Sequence, residues 1–449
     1  MLSELEKRLD INNNFDIKKK EIKILNKDGY IFFTSSLINH YDLMFLMEFL
    51  DKIKSFKDFD LRVYNGEIKQ ESNLDTILED VYSGFILLVI EEKYYLVDAK
   101  LYPNRSIEEP ITEKTIRGSR DGFSESINTN IGLLRRRLKS EQLVAKSYSI
   151  SSLGKTNVAL CYIKGIADED LVNHLDEQLN KIKVDSLIMT DRSLEEILFK
   201  QKYTPFPLVR YTERPDVASI SLMYGKIAII VDTSASVILT PITIFDHTKH
   251  VEEFRQSPIV GSFTRMLRTF AIFLSLFLIP LWMCLVDNSE IVNSFKISIS
   301  QNNLEIGVAM QIIIAQIIFE IVRLASIHTP TTLQTGISLI SAVILGQVSM
   351  ELGLFLPEVL LLCAISQICN FTTPSYELSM AIKLANIGLI VITAIFGKNG
   401  FIIFTTLLFL YLTSIKIWSV PYMYPVCPFD FKRITSIFLR NSPDNKKKL

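Results

Sequence analysis

The chain has 449 residues with 48 basic and 49 acidic side chains, a formal net charge of −1. Near-neutrality excludes a bulk polyanion partner, and a hydrophobic share of 48% excludes disorder. Charge is sparse over 267–418 and dense elsewhere, which excludes a uniform soluble globule and predicts a soluble part followed by a membrane part.

Five cysteines, Cys161, Cys284, Cys363, Cys369 and Cys427, form an odd set without CxxC spacing. Reduced, mostly buried thiols are expected, not a disulfide framework or a zinc knuckle. Residues 1–20 are highly charged and carry no apolar h-region. No cleavable signal peptide is expected, and the soluble part is expected in the cytoplasm.

In chain order, 2–52 reads mainly as helix, with 37–49 (LINHYDLMFLMEF) apolar at helical spacing. Strands are expected at 85–90 and 94–99, around a Glu91-Glu92 turn. The polar stretch 100–122, with Pro103, Pro110 and Gly118, reads as a subdomain boundary. A helix over 124–138 puts Ile127, Ile131, Leu134 and Leu138 on one face and sets Arg135, Arg136 and Arg137 largely off it. A strand at 156–162 and an amphipathic helix over 168–182, carrying Leu171, Leu175, Leu179 and Ile182, come next. Ser193 with Glu196 reads as a capping box before a short helix. Residues 220–239, two apolar runs parted by Asp232-Thr233-Ser234, read as a second strand pair. Gly84 and Gly225 each precede a strand pair, which points to two related α/β subdomains.

Beyond 256 the pattern is apolar. Segments at 270–286, 307–318, 333–350, 353–371, 384–396 and 401–415 give six spans, or four if those near 353–371 and 379–396 are re-entrant or tilted. Arg255, Arg265 and Arg268 precede the first span; Lys416, Lys432, Arg433, Arg440 and the lysines at 446–448 follow the last. Both termini are therefore expected on the cytoplasmic side; the lysines at 446–448 either touch anionic lipid or simply follow the charge rule. The expected architecture is a cytoplasmic α/β region of two subdomains, 1–115 and 116–256, then a helical polytopic membrane domain over 257–420 and a basic tail over 421–449.

Polar residues inside the spans carry the functional question. Gln316 and Glu320 stand one turn apart beside Arg323; Gln334, Ser338 and Ser341 form a stripe, with Gln347 further along; Glu351 and Glu358 bracket a turn containing Pro357. Two readings stay open. One is a water-lined ion path with Gln316, Glu320, Gln347, Glu351 and Glu358 as pore candidates. The other, commoner residue by residue, is helix packing, with Glu320 paired to Arg323.

Other chemistry is poorly supported. No GxxxxGK[ST], HExxH or GxSxG occurs. His247 and His250 beside Asp246 would make half a metal site, against which a solvated loop is the stronger expectation. The arginines at 135–137 lack the aromatic interleaving of a nucleic-acid surface. No enzyme, cofactor, metal or nucleic-acid partner is expected. A secondary transporter would show inverted repeats, and none is clear among the six segments.

Three motifs run in order along the chain. The first is Glu109-Pro110, Glu113, then 116–126 (IRGSRDGFSES), Asn128, Asn130-Ile131, Leu133 and 135–138 (RRRL). The second is Pro205-Phe206-Pro207 with 212–217 (TERPDV), followed by Gly225-Lys226 and Val231-Asp232. The third is 263–268 (FTRMLR), with Glu320, Arg323, Gly346-Gln347, 374–378 (PSYEL), Pro421-Tyr422, Pro425 and Pro428-Phe429 beyond it. Together with the soluble-then-membrane layout, they resemble the A subunits of the GerA-type spore germination receptors over about 84–430. Residues 250–254 (HVEEF) depart from an acidic-aromatic motif of that family, the tail after Arg440 is short, and Thr233 stands where a glycine often follows the Val-Asp.

The resemblance implies a subunit of the inner membrane of a dormant spore. It would work with a multispanning, germinant-binding B subunit and a C-subunit lipoprotein, and form a homo-oligomeric, germinant-gated cation channel. A non-conducting scaffold is the rival. Interface or motif candidates are Arg117, Arg120, Glu125, Asn130, Arg135 and Arg137, then Glu213, Arg214, Pro215 and Asp216, then Arg265 and Arg268. Arginine forks suit carboxylates across a subunit or subdomain interface; an intradomain salt bridge with a helix cap is the equal alternative. Arg214, preceding Pro215, should be extended.

Overall fold

The computed structural model of the chain describes residues 2–24, 27–52, 68–90, 93–101, 110, 113, 115–151, 156–187, 189–199, 204–286, 307–328, 336, 339–340 and 343–440. The chain divides into two compact units, one from residues 1–202 and 208–242, the other from 203–207 and 243–446.

The first unit contains two five-stranded antiparallel sheets. In the first, β1 (Ile17–Ile24), β2 (Lys27–Thr34), β3 (Ile68–Glu71), β4 (Phe85–Ile90) and β5 (Lys93–Asp98) are ordered β1-β2-β4-β5-β3. The second, from β6 (Leu143–Ile150), β7 (Thr156–Ile163), β8 (Arg210–Thr212), β9 (Ile227–Val231) and β10 (Val237–Thr240), repeats that order as β6-β7-β9-β10-β8. Gly84 and Gly225, at φ +100° and +82°, precede corresponding strands in the two sheets. The structure thus bears out the two related subdomains.

The continuous apolar run of β4 follows from burial on both faces. Leu87 and Val89 pack with Leu5 and Leu9 of α1 (Leu2–Leu9) and Ile77 and Leu78 of α3 (Leu74–Val81). Ile86, Leu88 and Ile90 pack on the other face with Leu46 and Leu50 of α2 (His40–Lys52). The reading of 2–52 as mainly helix is corrected: two short helices there flank the β1–β2 hairpin. In β1 (IKKKEIKI) only the end residues Ile17 and Ile24 are buried. An edge strand studded with lysine resists pairing with other chains, and the same lysines erase its strand periodicity.

In the second subdomain, α4 (Ile127–Arg137), α5 (Glu169–Lys181), α6 (Thr190–Phe199) and α7 (Pro215–Met223) accompany the sheet. Asp168 caps α5 through its side chain, and Leu171, Leu175 and Leu179 are buried as expected. Ser193 and Glu196 lie inside α6, so the capping box is corrected: the Ser193 hydroxyl accepts from the Met189 N–H instead. Residues 220–223, expected in a strand, close α7, while β9 and β10 form the expected pair.

The second unit opens with α8 (Val251–Arg255) and continues as α9 (Pro258–Val286), α10 (Val308–His328), α11 (Pro357–Phe371), α12 (Tyr376–Ser414) and α13 (Phe431–Phe438). The helices α9, α10 and α12 are long and apolar enough to cross a membrane, while α11 is a shorter apolar helix. Of the 333–350 segment, 336, 339–340 and 343–350 are described, with a π-helix over Ile344–Val348, and the Gln334, Ser338 and Ser341 stripe lies outside the described residues.

Helix α12 is two arms. Gly397, at φ 56° and ψ −143°, breaks it. In one straight helix Gly388 and Phe404 would be about 24 Å apart, yet a Cβ on Gly388 would sit 3.0 Å from the Phe404 ring. The chain therefore doubles back, as the separation of 384–396 from 401–415 predicted.

Candidate functional site

The motif residues of the first unit shape an irregular segment. Residues 116–126 form neither helix nor strand, so their backbone needs side-chain partners. Asn130 is fully buried and grips Ser124 from both ends of its amide: its Oδ1 accepts from the Ser124 N–H at 2.7 Å, and its Nδ2 donates to the Ser124 carbonyl at 2.6 Å. Arg137 Nη2 donates to both carboxylate oxygens of Asp121 at 2.6 Å and to Ser119 Oγ at 2.8 Å. Asp232 accepts the Ile127 N–H at the start of α4.

Arg214 is the hub. It is 0% exposed, and each of its guanidinium nitrogens donates. Nε and Nη2 reach Asp216 at 3.0 and 2.8 Å; Nη1 reaches the Glu113 carbonyl and Thr115 Oγ1; Nη2 also reaches the Ser119 carbonyl. Its backbone, at φ −108° and ψ 117°, is extended, and Pro215 opens α7. Glu213 accepts the Phe123 N–H through its carbonyl. Arg214 thus pairs with Asp216 within its own motif and holds the backbone at Glu113 and Ser119 to the start of α7. Arg117, Arg120 and Glu125 are exposed on this segment.

Arg135 corrects the expectation that the three arginines stand off the buried face. It is 0% exposed, donating to Asp16 at 3.2 and 3.3 Å, to Asn14 Oδ1 at 3.2 Å and to the Leu143 carbonyl at 2.6 Å. Asp16 and Asn14 lie just before β1, so this pair joins the two subdomains. Arg136 is exposed.

In the second unit, Glu253 is 1% exposed and faces both Arg265 and Arg268. Arg265 also donates to the carbonyls of Ser436 and Leu439, binding the C-terminal end of α13 to the start of α9. Gly261 permits this: a Cβ there would lie 2.4 Å from the Glu253 carbonyl oxygen. His247, expected in a solvated loop, is 1% exposed with Nδ1 3.1 Å from Ser375 Oγ, while His250 caps α8. His247 belongs to the interior because the loop folds onto the start of α12, and His250 is half-buried.

The pore candidates separate into two groups. Gln316 is 1% exposed on α10; Glu320, one turn on, is paired with Arg323, which also lies over the Tyr376 ring. Gln347 and Glu351 are exposed and Glu358 is half-buried at the start of α11.

Lys383 is 6% exposed. Its ammonium donates to Gln316 Oε1 and, at 2.7 Å, to Gln367 Oε1 of α11. The cluster continues along the helices. Ser366 donates to the Ser275 carbonyl of α9, and Asn386 to the Leu276 carbonyl. Asn370 Oδ1, Thr373 Oγ1, Asn386 Oδ1 and Thr393 Oγ1 are buried with no hydrogen-bond partner among the described residues. A helical repeat in 366–393 (Gln367/Asn370, Lys383/Asn386) is the sequence signal that could have found it. A lone lysine at the start of an apolar segment has the pattern of an orientation charge, which conceals the cluster.

Polar side chains turned inward among long apolar helices, in a chain whose other unit carries two sheets of one topology, define a membrane protein of two parts. The Bacillus/Clostridium GerA spore germination protein family matches residues 3–448, and this chain belongs to that family. It is similar to stage V sporulation protein AF of Bacillus subtilis (strain 168), 38% identical over 98% of this chain and 92% of the relative. It is also similar to spore germination protein XA of Bacillus anthracis, at 28% identity over 83% of this chain and 78% of that one. The N-terminal domain of the A subunit of the Bacillus megaterium spore germinant receptor GerK3 is a solved relative, 27% identical over 54% of this chain and 92% of that chain, with a TM-score of 0.40.

Proposed function

We propose that this chain is the A-type subunit of a nutrient germinant receptor in the spore inner membrane, with both termini on the cytoplasmic side. It works with a germinant-binding B subunit and a C-subunit lipoprotein. Copies assemble into a cation channel whose opening starts germination, and the chain acts by contact and conduction rather than catalysis. The family match across both units carries this reading. The inward polar cluster of α10, α11 and α12 supports a path through the membrane unit. Exposed Gln347 and Glu351 are positioned to face other copies or water. Nutrient binding on the partner would shift the assembly toward an open arrangement.

The test is cation flux from liposomes holding the protein alone or with its partner subunits, with and without germinant. Germinant-triggered flux supports the channel; a stable oligomer without flux under any condition supports a scaffold.

A second reading is favoured by the 38% identity to a stage V sporulation protein: the chain acts while the spore is being built. Deletion separates the two. Normal spore yield with lost nutrient response supports the receptor subunit, whereas fewer mature spores support the sporulation role.

A further inference from the structure

The Lys383 ammonium sits where a free cation could sit. Two amide oxygens, Gln316 Oε1 from α10 and Gln367 Oε1 from α11, converge on it in a pocket where all three side chains are at most 6% exposed. The ammonium's two hydrogen bonds orient both amides with oxygen inward, and the Gln367 amide nitrogen is buried without a partner among the described residues. Carbonyl oxygens of this kind replace the hydration shell of a monovalent cation in selective pores. More acceptors lie along the same helices: Asn370 Oδ1 one turn from Gln367, and Asn386 Oδ1 one turn from Lys383, followed by Thr393 Oγ1. Each is buried in an apolar bundle with no donor among the described residues, an arrangement that costs free energy unless water or a cation visits.

We propose that Gln316 and Gln367 form a monovalent-cation site in which Lys383 is the resident, tethered cation. While the ammonium is in place, like-charge repulsion and occupancy exclude potassium or sodium. When α12 moves relative to α10 and α11, Lys383 withdraws and the two oxygens, with water completing the shell, accept the mobile ion. This deepens the channel reading and rests on it for the conduction step; the binding step stands without it.

The test uses the full chain with Lys383→Met, which keeps the length and removes the charge, and with Lys383→Gln as a second variant in case the first fails to fold. The first readout is melting temperature in potassium chloride against choline chloride. A potassium-specific rise in the variant, absent in wild type and lost on adding Gln316→Leu and Gln367→Leu, supports the site; equal melting in both salts by a folded variant overturns it. The second readout is potassium leak from liposomes without germinant. The variant should leak about tenfold faster than wild type, as expected when a closed state loses its main restraint; wild-type leak overturns the gating role. Potassium-dependent melting in a protein that never conducts would remove the channel reading and leave the site. Germinant-triggered flux in wild type, with a variant that neither binds nor leaks, would do the reverse.

Discussion

At the residue scale, Thr233 holds the left-handed conformation with φ +68°. That conformation costs a non-glycine residue about 1–2 kcal/mol, and the β-branch makes it worse. Its N–H bonds to the Glu125 carbonyl at 2.7 Å, which fixes the turn. Thr233→Gly keeps that bond and relieves the strain, at a cost of roughly 0.5–1 kcal/mol in unfolded-chain entropy. A net gain of about 0.5 kcal/mol follows, readable as a small rise in melting temperature. A fall would show that the threonine side chain makes a contact worth more than the strain. The departure from the family's glycine is thus legible in sequence, but its meaning is set by a backbone angle.

Asp176 is the second residue-scale case. Burial pushes its carboxyl upward, but Lys146 at 2.7 Å and the Tyr148 hydroxyl bond to its charged form and hold it below the ordinary value. A depressed folded pKa contributes stability above the unfolded value and loses it as pH falls through the folded one. Acid should therefore weaken the α5–β6 junction below about pH 4. Asp176→Asn should lower stability at neutral pH and flatten the acid limb of the unfolding profile; a limb as steep as wild type would clear Asp176 of the effect.

At the element scale, the α12 break decides membrane geometry. A straight helix of its 39 residues would be about 58 Å long, nearly twice the hydrocarbon thickness. The turn at Gly397 returns the chain, so 376 and 414 should lie on one side of the membrane. Single cysteines at those positions should react with the same impermeant reagent from one face only. Labelling from opposite faces would refute the hairpin. The Gly-Lys-Asn-Gly sequence announced this turn because glycine alone tolerates the Gly397 angles. By contrast, β1 was illegible: an edge strand needs no buried side chains along its middle, so its lysines carry no period.

At the scale of the whole molecule, the first unit is two copies of one topology joined by polar contacts, of which the Arg135 one is fully buried. Arg135 to Asp16 and Asn14 is the central link, and Arg8 reaches Glu141 from the other subdomain at 2.6 Å. Breaking one partner of a buried pair typically costs about 3–5 kcal/mol, because the remaining charge has no compensation. Arg135→Met should therefore lower the first unit's melting temperature sharply. Adding Asp16→Leu should recover part of the loss, with a coupling energy read from the double-mutant cycle. Additive losses would mean that the two residues do not act through one another.

The order of the two parts, both strand pairs, the break between 396 and 401 and the family were legible in the sequence, because these rest on local hydropathy, glycine positions and motif spacing. Tertiary structure alone decided where charge goes. Arg135 reads as standing off the buried face and is buried against Asp16 and Asn14, and Lys383 is buried against Gln316 and Gln367 of two other helices. A charge is stable inside only when its partners arrive with it, and the arrival of Asp16 at Arg135, or of Gln316 and Gln367 at Lys383, is a product of the fold.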